Sequence, residues 1–147
     1  MPNKKNRTVL VTGATGGLGT AMCKKLYNDG FNVVGNYHTK EKADKWLEQM
    51  KSEGFNIKLF YGDVSDFDSA AEMVKKIEAE VGTIDTLVNN AGITRDSRLV
   101  NMKKEDWYAV INTNLNSVFN CTKNVLDGMI ERKFGRIINI SSVNDDE

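Results

Sequence analysis

The sequence predicts an α/β fold in which one parallel sheet is wound on both faces by helices, and three observations carry that expectation. Five short runs rich in Val, Ile and Leu alternate with four stretches whose apolar residues recur every three or four positions. A glycine cluster, VTGATGGLG at 11–19, directly follows the first run and opens the first helical stretch. Glycines also stand just past the helical stretches, where a left-handed residue ends a helix. Strand, helix, strand repeated in this way builds crossovers of one hand. The expectation is a doubly wound sheet of five strands in the order 3-2-1-4-5.

Taken in order, the strand runs are RTVLVT (7–12), FNVVGNY (31–37), FNIKLFYG (55–62), TIDTLVNN (83–90) and GRIINIS (135–141). They are short and bounded by Gly or Asn, as strands buried on both faces should be. Leu18, Ala21, Met22 and Leu26 mark the first helix, and Ala43, Trp46, Leu47 and Met50 the second. Ala70, Met73, Val74, Ile77 and Val81 mark the third. A fourth stripe runs from Trp107 through Ile111, Leu115, Val118, Phe119, Val125 and Leu126 to Ile130, about six turns of one helix. Gly30, Gly54, Gly82 and Gly135 are the expected helix-ending glycines. The segment GITRDSRLVNMK (92–103) is the one long connection without periodicity, the kind of place where function tends to sit.

Composition narrows the function classes. Twenty basic and twenty acidic residues cancel over 147 residues, so no global field draws the chain to nucleic acid or an anionic membrane. The start at Lys4, Lys5 and Arg7 reads as a solvated terminus. No run approaches the ~20 apolar residues of a membrane span, and a cytoplasmic location is expected. Cys23 and Cys121 lie in separate helical patterns, so they read as buried, reduced thiols. His38 is the only histidine, which leaves no metal cluster and reads as a surface residue. Nothing suggests a linker, and residues 1–147 are expected to form a single dinucleotide-binding (Rossmann) domain.

The glycine cluster carries the chemistry. Gly13 can make a tight turn, Gly17 can let backbone approach a pyrophosphate, and Gly19 can let helix pack closely on strand, while free N–H groups of the first helical turn attract the anion. The spacing is Thr-Gly-x-x-x-Gly-x-Gly. Together with NNAG (89–92), Asp63 after the third strand, NTNLNSVF (112–119) and IINISS (137–142), it resembles the short-chain dehydrogenase/reductase family. Within that family, DGFNVVGNYHTKEKADKWLEQMKSEGF, NNAGITRD and GRIINISSVN look like the NADPH-dependent acetoacetyl-CoA reductases, relatives of the 3-oxoacyl-carrier-protein reductases.

The resemblance implies roles position by position. Gly13, Thr15, Gly16, Gly17, Leu18 and Gly19 would cradle the cofactor, with Gly62, Asp63 and Val64 against its adenine and Asn90, Ala91, Gly92 and Thr94 lining its pocket. The alternative for Asp63 is a turn or helix-capping residue. Asn114 would bend the fourth helix and hold a water of a proton relay; its alternative is a hydrogen-bonded core amide, since it falls on the apolar stripe. Ser142 would hydrogen-bond a substrate carbonyl, or is simply a strand-end Ser. Asp96 would border an acyl-CoA entrance, or is an exposed loop acid.

Cofactor choice follows from the end of the second strand, VVGNYHTKEK (33–42). Gly35, Asn36 and Tyr37 stand where an acid would bind a ribose 2′-hydroxyl, and Lys40 and Lys42 follow, which favours NADP(H). Lys42 is the phosphate contact implied by the resemblance, or a solvated charge.

One requirement is unmet within these residues. Reducing a ketone needs a proton donor, and the family uses a Tyr with a Lys four positions later. Tyr27, Tyr37, Tyr61 and Tyr108 are followed at that spacing by Phe31, Glu41, Ser65 and Asn112. After SSVN the chain reads Asp145, Asp146, Glu147, where the relatives continue with a glycine and a substrate loop. The expectation is therefore the N-terminal, cofactor-binding portion of a reductase of acyl-CoA or acyl-carrier thioesters, inactive by itself. The alternative is a nucleotide-binding module without enzymatic activity. An uncovered fifth strand and helical stripe would favour a homo-oligomer.

Overall fold

β1 (Thr8–Val11) is buried along its whole length and forms the middle of the sheet. It is flanked by β2 (Asn32–Tyr37) and β4 (Ile84–Asn89), with β3 (Lys58–Tyr61) and β5 (Arg136–Asn139) outside them. Every neighbouring pair is parallel, in the order β3-β2-β1-β4-β5 that the sequence predicts. This computed structural model describes residues 6–142. Lys4, Lys5, Asp145, Asp146 and Glu147 lie outside the described residues.

Successive strand residues bury on opposite faces. Val9, Val11, Val33 and Val88 join Ala14, Cys23, Trp46 and Met50 in one core, under α1 (Gly17–Asn28) and α2 (Lys40–Ser52). Leu10, Val34, Phe60 and Leu87 join Met73, Ile77, Cys121 and Val125 in the other, under α3 (Phe67–Glu80) and α5 (Ser117–Glu131). This double burial explains why the strands read as continuous apolar runs rather than alternating ones. The β1–β4 pairing slips between Thr8 and Val9, skipping Asp85, whose carboxylate accepts the Thr8 N–H at 2.9 Å.

α1 and α2 end in the same way. The N–H groups of Gly30 and Phe31 bond the carbonyls of Tyr27 and Leu26, and those of Gly54 and Phe55 bond Lys51 and Met50. Gly30 and Gly54 have φ of 92° and 88°, and Gly82 after α3 has 130°, as expected of helix-ending glycines. Gly135 is a correction. The left-handed residue after α5 is Lys133 (φ 54°), with Lys133 and Phe134 bonding Ile130 and Met129. Gly135 is small for a different reason, because a Cβ there would lie 2.4 Å from Met129 Sδ.

Two helical stripes also need correction. Leu18 (57% exposed) and Ala21 face outward, and α1 packs instead through Gly19 and Cys23, with Met22 and Leu26 half-buried. The long fourth stripe is not one regular helix. α4 (Lys104–Val110) passes through a π-helical turn (Ile111–Asn116) into α5, and a π turn shifts the residues beyond it around the axis. Cys121, Val125 and Met129 are buried, while Trp107, Leu115, Phe119 and Ile130 are exposed. Leu115, Val118, Phe119 and Leu126 line an open groove of about 420 Å³ with Ile137 of β5. Among the described residues, no helix is long and apolar enough to cross a membrane.

The strained C′ residue gives a stability prediction. Lys133→Gly should raise the urea midpoint, stabilising by about 0.5–1 kcal/mol as the left-handed strain is relieved and only partly offset by unfolded-state entropy. A lowered midpoint would show that Lys133 is held there by contacts worth more than the strain.

Candidate functional site

The carboxyl ends of β1, β2, β3 and β4 meet around a few polar side chains. Thr12, 2% exposed, follows β1, and its hydroxyl oxygen accepts the N–H groups of Asn90 (2.9 Å) and Ala91 (3.0 Å). The Asn90 side chain returns the contact, donating to the Thr12 carbonyl at 3.1 Å and reaching that of Gly13 at 3.3 Å. The segment after β4 is thereby clamped against the turn after β1.

Glycine is obligatory in that turn. Gly13 sits at φ 60°, and a Cβ on it would lie 2.9 Å from the Ala91 Cα. A Cβ on Gly19 would meet the Gly13 oxygen at 2.3 Å, so the first helical turn rests directly on the loop backbone. Gly17 differs, since a Cβ there would meet nothing within 4 Å. Its smallness leaves the helix entrance open rather than filling a protein contact.

α1 begins without help from side chains. Its N-cap, Gly16, supplies no side-chain bond, and its first turn holds no acidic residue. By contrast, α3 is capped by Asp66, whose carboxylate accepts from Ser69 N at 2.8 Å, and α2 has Glu41 in its first turn. Unsatisfied N–H groups and the positive end of the helix dipole make such an entrance an anion site. Thr20 braces it, its hydroxyl donating to the Gly16 carbonyl (2.6 Å) and accepting from the Trp46 indole (2.8 Å).

The end of β2 is resolved residue by residue. Gly35 is packed so tightly that a Cβ would lie 2.6 Å from both Ala14 and Leu59. Asn36 is buried and turned inward, accepting from Gly13 N at 3.1 Å and donating to the Gly62 carbonyl at 2.9 Å. Only Tyr37 of the three borders solvent, its ring edge-on to Tyr61. Lys42 is exposed in the first turn of α2 and pairs with no carboxylate among the described residues.

Asp63 Oδ1 accepts the N–H (3.0 Å) and hydroxyl (2.6 Å) of Ser65, so one oxygen builds the turn while Oδ2 stands 4.0 Å from His38 Nε2. Val64 is buried, and its carbonyl accepts from the buried Asn120 amide at 2.9 Å. Asn114 is not the core amide of its alternative reading. It is exposed, and both ends of its side chain are spent on one residue, accepting from Ile93 N (2.8 Å) and donating to Ile93 O (3.0 Å). That exchange ties the π turn to the loop beside Gly92, where a Cβ would lie 3.4 Å from Asn114 Oδ1.

The structure thus gathers Gly13, Gly19, Gly62, Asn90 and Ala91 into one network, and Gly92 with Asn114 into a second contact. Thr15 and Gly16 lie in the turn and Leu18 stands exposed beside it. Thr94, Asp96 and Ser142 are exposed, Ser142 lying beyond the end of β5. Sequence reasoning missed Thr12, Asn36 and Asn120 as the residues that hold the turns. A polar side chain at the end of an otherwise apolar strand, and an amide beside a buried helical Cys, were the available signals.

A five-stranded parallel sheet in this order, covered on both faces and opening its first helix from a glycine-rich turn, is a Rossmann-like fold. The family model described as short chain dehydrogenase matches residues 7–147, and the chain belongs to that family of oxidoreductases. It is 56% identical over 140 residues to an acetoacetyl-CoA reductase from Allochromatium vinosum, covering 94% of this chain and 57% of that protein. The corresponding figures for an acetoacetyl-CoA reductase from Cupriavidus necator are 52% identity, 94% and 56%. A 3-oxoacyl-acyl-carrier-protein reductase from Staphylococcus aureus is 42% identical, with 95% and 57% covered. The chain therefore spans somewhat over half the length of these relatives. Among solved structures it is similar to a gluconate 5-dehydrogenase from Burkholderia cenocepacia in complex with NADP and tartrate, with a TM-score of 0.84 and 38% identity, covering 92% of this chain and 53% of that one.

Two measurements test this geometry. Thr12→Val should cost about 1–3 kcal/mol by stranding two N–H groups, and Thr12→Ser should recover most of it in chemical denaturation. Equal loss in both variants would mean that the methyl, not the hydroxyl, matters. Burial pushes the Cys23 and Cys121 thiols up to about 12. At about pH 8 a disulfide reagent should find neither thiol in the folded protein and both in denaturant, because the thiolate is the reactive form.

Proposed function

We propose that this chain is the cofactor-binding part of an NADPH-dependent reductase that converts acetoacetyl-CoA or related 3-oxoacyl thioesters to 3-hydroxyacyl thioesters. The observation that carries the cofactor half is the uncapped entrance of α1, with open space at Gly17 above a turn that has no room for side chains at Gly13 and Gly19. A pyrophosphate would satisfy those N–H groups. Bound there, the nicotinamide cofactor would supply the hydride.

The chain's own residues do the holding. Gly62, Asp63 and Val64 offer an ordered turn for the adenine, and Asn90, Ala91, Gly92 and Thr94 continue the cradle. The preference for a 2′-phosphate rests on what β2 lacks at its end. No acid stands there, Tyr37 alone borders solvent, and Lys42 is a cation free of ion pairing among the described residues. The acetoacetyl-CoA reductase and 3-oxoacyl reductase relatives support the thioester substrate class. Ser142 would hydrogen-bond the substrate carbonyl, Asp96 would border the thioester entrance, and Asn114 would hold the π turn and its loop in place for proton transfer.

The chain alone is expected to turn over nothing, because no Tyr is followed four residues later by Lys. That same fact favours the second reading, a nucleotide-binding module without activity. Acetoacetyl-CoA reduction by these 147 residues at the rate of the longer relatives would defeat the claim of inactivity. Titration with NADPH and NADH followed by calorimetry tests the cofactor half. Saturable binding is expected, tighter for NADPH, with Lys42→Ala narrowing the gap between the two; no binding of either would remove the proposal's basis.

Self-association belongs to the same reading. Leu115, Phe119, Ile130 and Ile138 leave a large apolar surface uncovered on the π turn, α5 and β5. Sedimentation should show a homo-oligomer at micromolar concentration, and a monodisperse monomer would refute it.

A further inference from the structure

Asn36 is the most heavily used polar side chain of the sheet, and neither the periodicity of β2 nor the proposed cofactor contacts explain it. It is 3% exposed. Its Oδ1 accepts the Gly13 N–H at 3.1 Å, and its Nδ2 donates to the Gly62 carbonyl at 2.9 Å and lies 3.2 Å from Met73 Sδ and 3.3 Å from the Tyr37 carbonyl. Its own carbonyl accepts from Ala14 N at 3.1 Å. One amide therefore joins the turn after β1 to the turn after β3, across the end of the strand between them.

The chemistry of the joint admits few substitutes. The Gly13 side presents a donor and the Gly62 side an acceptor, so the residue between must accept on one end and donate on the other. A carboxylate would keep the first bond and set a buried negative charge against the Gly62 carbonyl. A leucine of similar size would leave both groups unpaired. Neighbouring residues hold the fit tight: a Cβ on Gly62 would lie 3.3 Å from Asn36 Nδ2 and 2.7 Å from Met73 Sδ.

We infer that Asn36 is a positioning residue for the dinucleotide, setting the spacing between the glycine turn that receives the pyrophosphate and the Gly62–Val64 turn that receives the adenine. It acts without touching the cofactor. The inference rests on the cofactor-binding reading of the site, and it adds that affinity is governed from inside the sheet as well as from the residues lining the cradle.

The test compares the parent protein with Asn36→Leu, Asn36→Asp and the smaller Asn36→Ser. Two readouts are used: calorimetric titration with NADPH, and hydrogen exchange at the Gly13 amide without cofactor. Ile77→Val, on the buried face of α3, serves as the stability control. Asn36→Leu should weaken NADPH binding about tenfold or more and deprotect the Gly13 amide. Asn36→Asp should weaken binding while leaving that amide protected, because it retains the acceptor and loses only the donor. Ile77→Val should change neither. Should Asn36→Leu fail to fold, Asn36→Ser is read by the same two measures and the same expectation. A parent that binds NADPH with variants that bind equally well overturns this inference alone. Gly13 deprotection without a loss of affinity overturns it too. No binding by the parent overturns the reading of the site and this inference with it.

Discussion

The approach of the turn after β1 to the end of β4 is the constraint on which the rest of the site depends. Gly13 passes so near the Ala91 backbone that no side chain fits between, and the Thr12 hydroxyl closes the gap by accepting two N–H groups at once. Because this contact sets where the turn ends, it also sets where α1 can begin. The helix then rests on the turn through Gly19, and its N-terminus, with open space at Gly17, carries no side-chain cap. Widen the contact by one methyl group and the helix, its uncapped entrance and the segment after β4 must all shift together.

The same end of the sheet is held by polar groups while its middle is held by apolar ones, and the division has a physical origin. In the middle, strand hydrogen bonds satisfy the backbone and side chains have only to fill space. Where strands end, N–H and C=O groups lose their ladder partners and turns of irregular shape begin. Thr12, Asn36 and Asn120 supply the missing partners from within the protein, which keeps the turns ordered. The first turn of α1 receives no side-chain cap, and the contrast with the Asp66 cap of α3 separates an unfinished helix end from a finished one.

The path from α4 to α5 follows a related logic. A π turn holds one residue more than an α turn, and here it places Asn114 so that its amide pairs with both backbone groups of Ile93. The loop after β4 is thereby tied to a helix instead of hanging on the strand end. The extra residue also rotates the apolar stripe, so that Cys121, Val125 and Met129 meet the core while Leu115 and Phe119 turn outward.

Much of this protein is legible in its sequence. Alternating periods of two kinds place five strands and their helices, and Gly30, Gly54 and Gly82 mark three helix ends, because burial on both faces and left-handed backbone each restrict residue choice locally. The glycine spacing marks the site for the same reason. Other features depend on neighbours distant in the chain. Lys133 rather than Gly135 ends α5, and Gly135 is kept small by the closeness of Met129, a contact the sequence does not display. Asn114 is exposed and bonded to Ile93 although its spacing puts it on the apolar stripe, because the π turn breaks the period from which the stripe is read. Asn36 reads as a strand-end residue and becomes the joint between two turns only when Gly13 and Gly62 arrive on either side of it. The sequence by itself determined which segments form the sheet and where its glycine-rich turn opens the first helix. Tertiary structure decided which polar groups hold that place open, because a hydrogen bond between residues far apart in the chain leaves no period in the sequence to read.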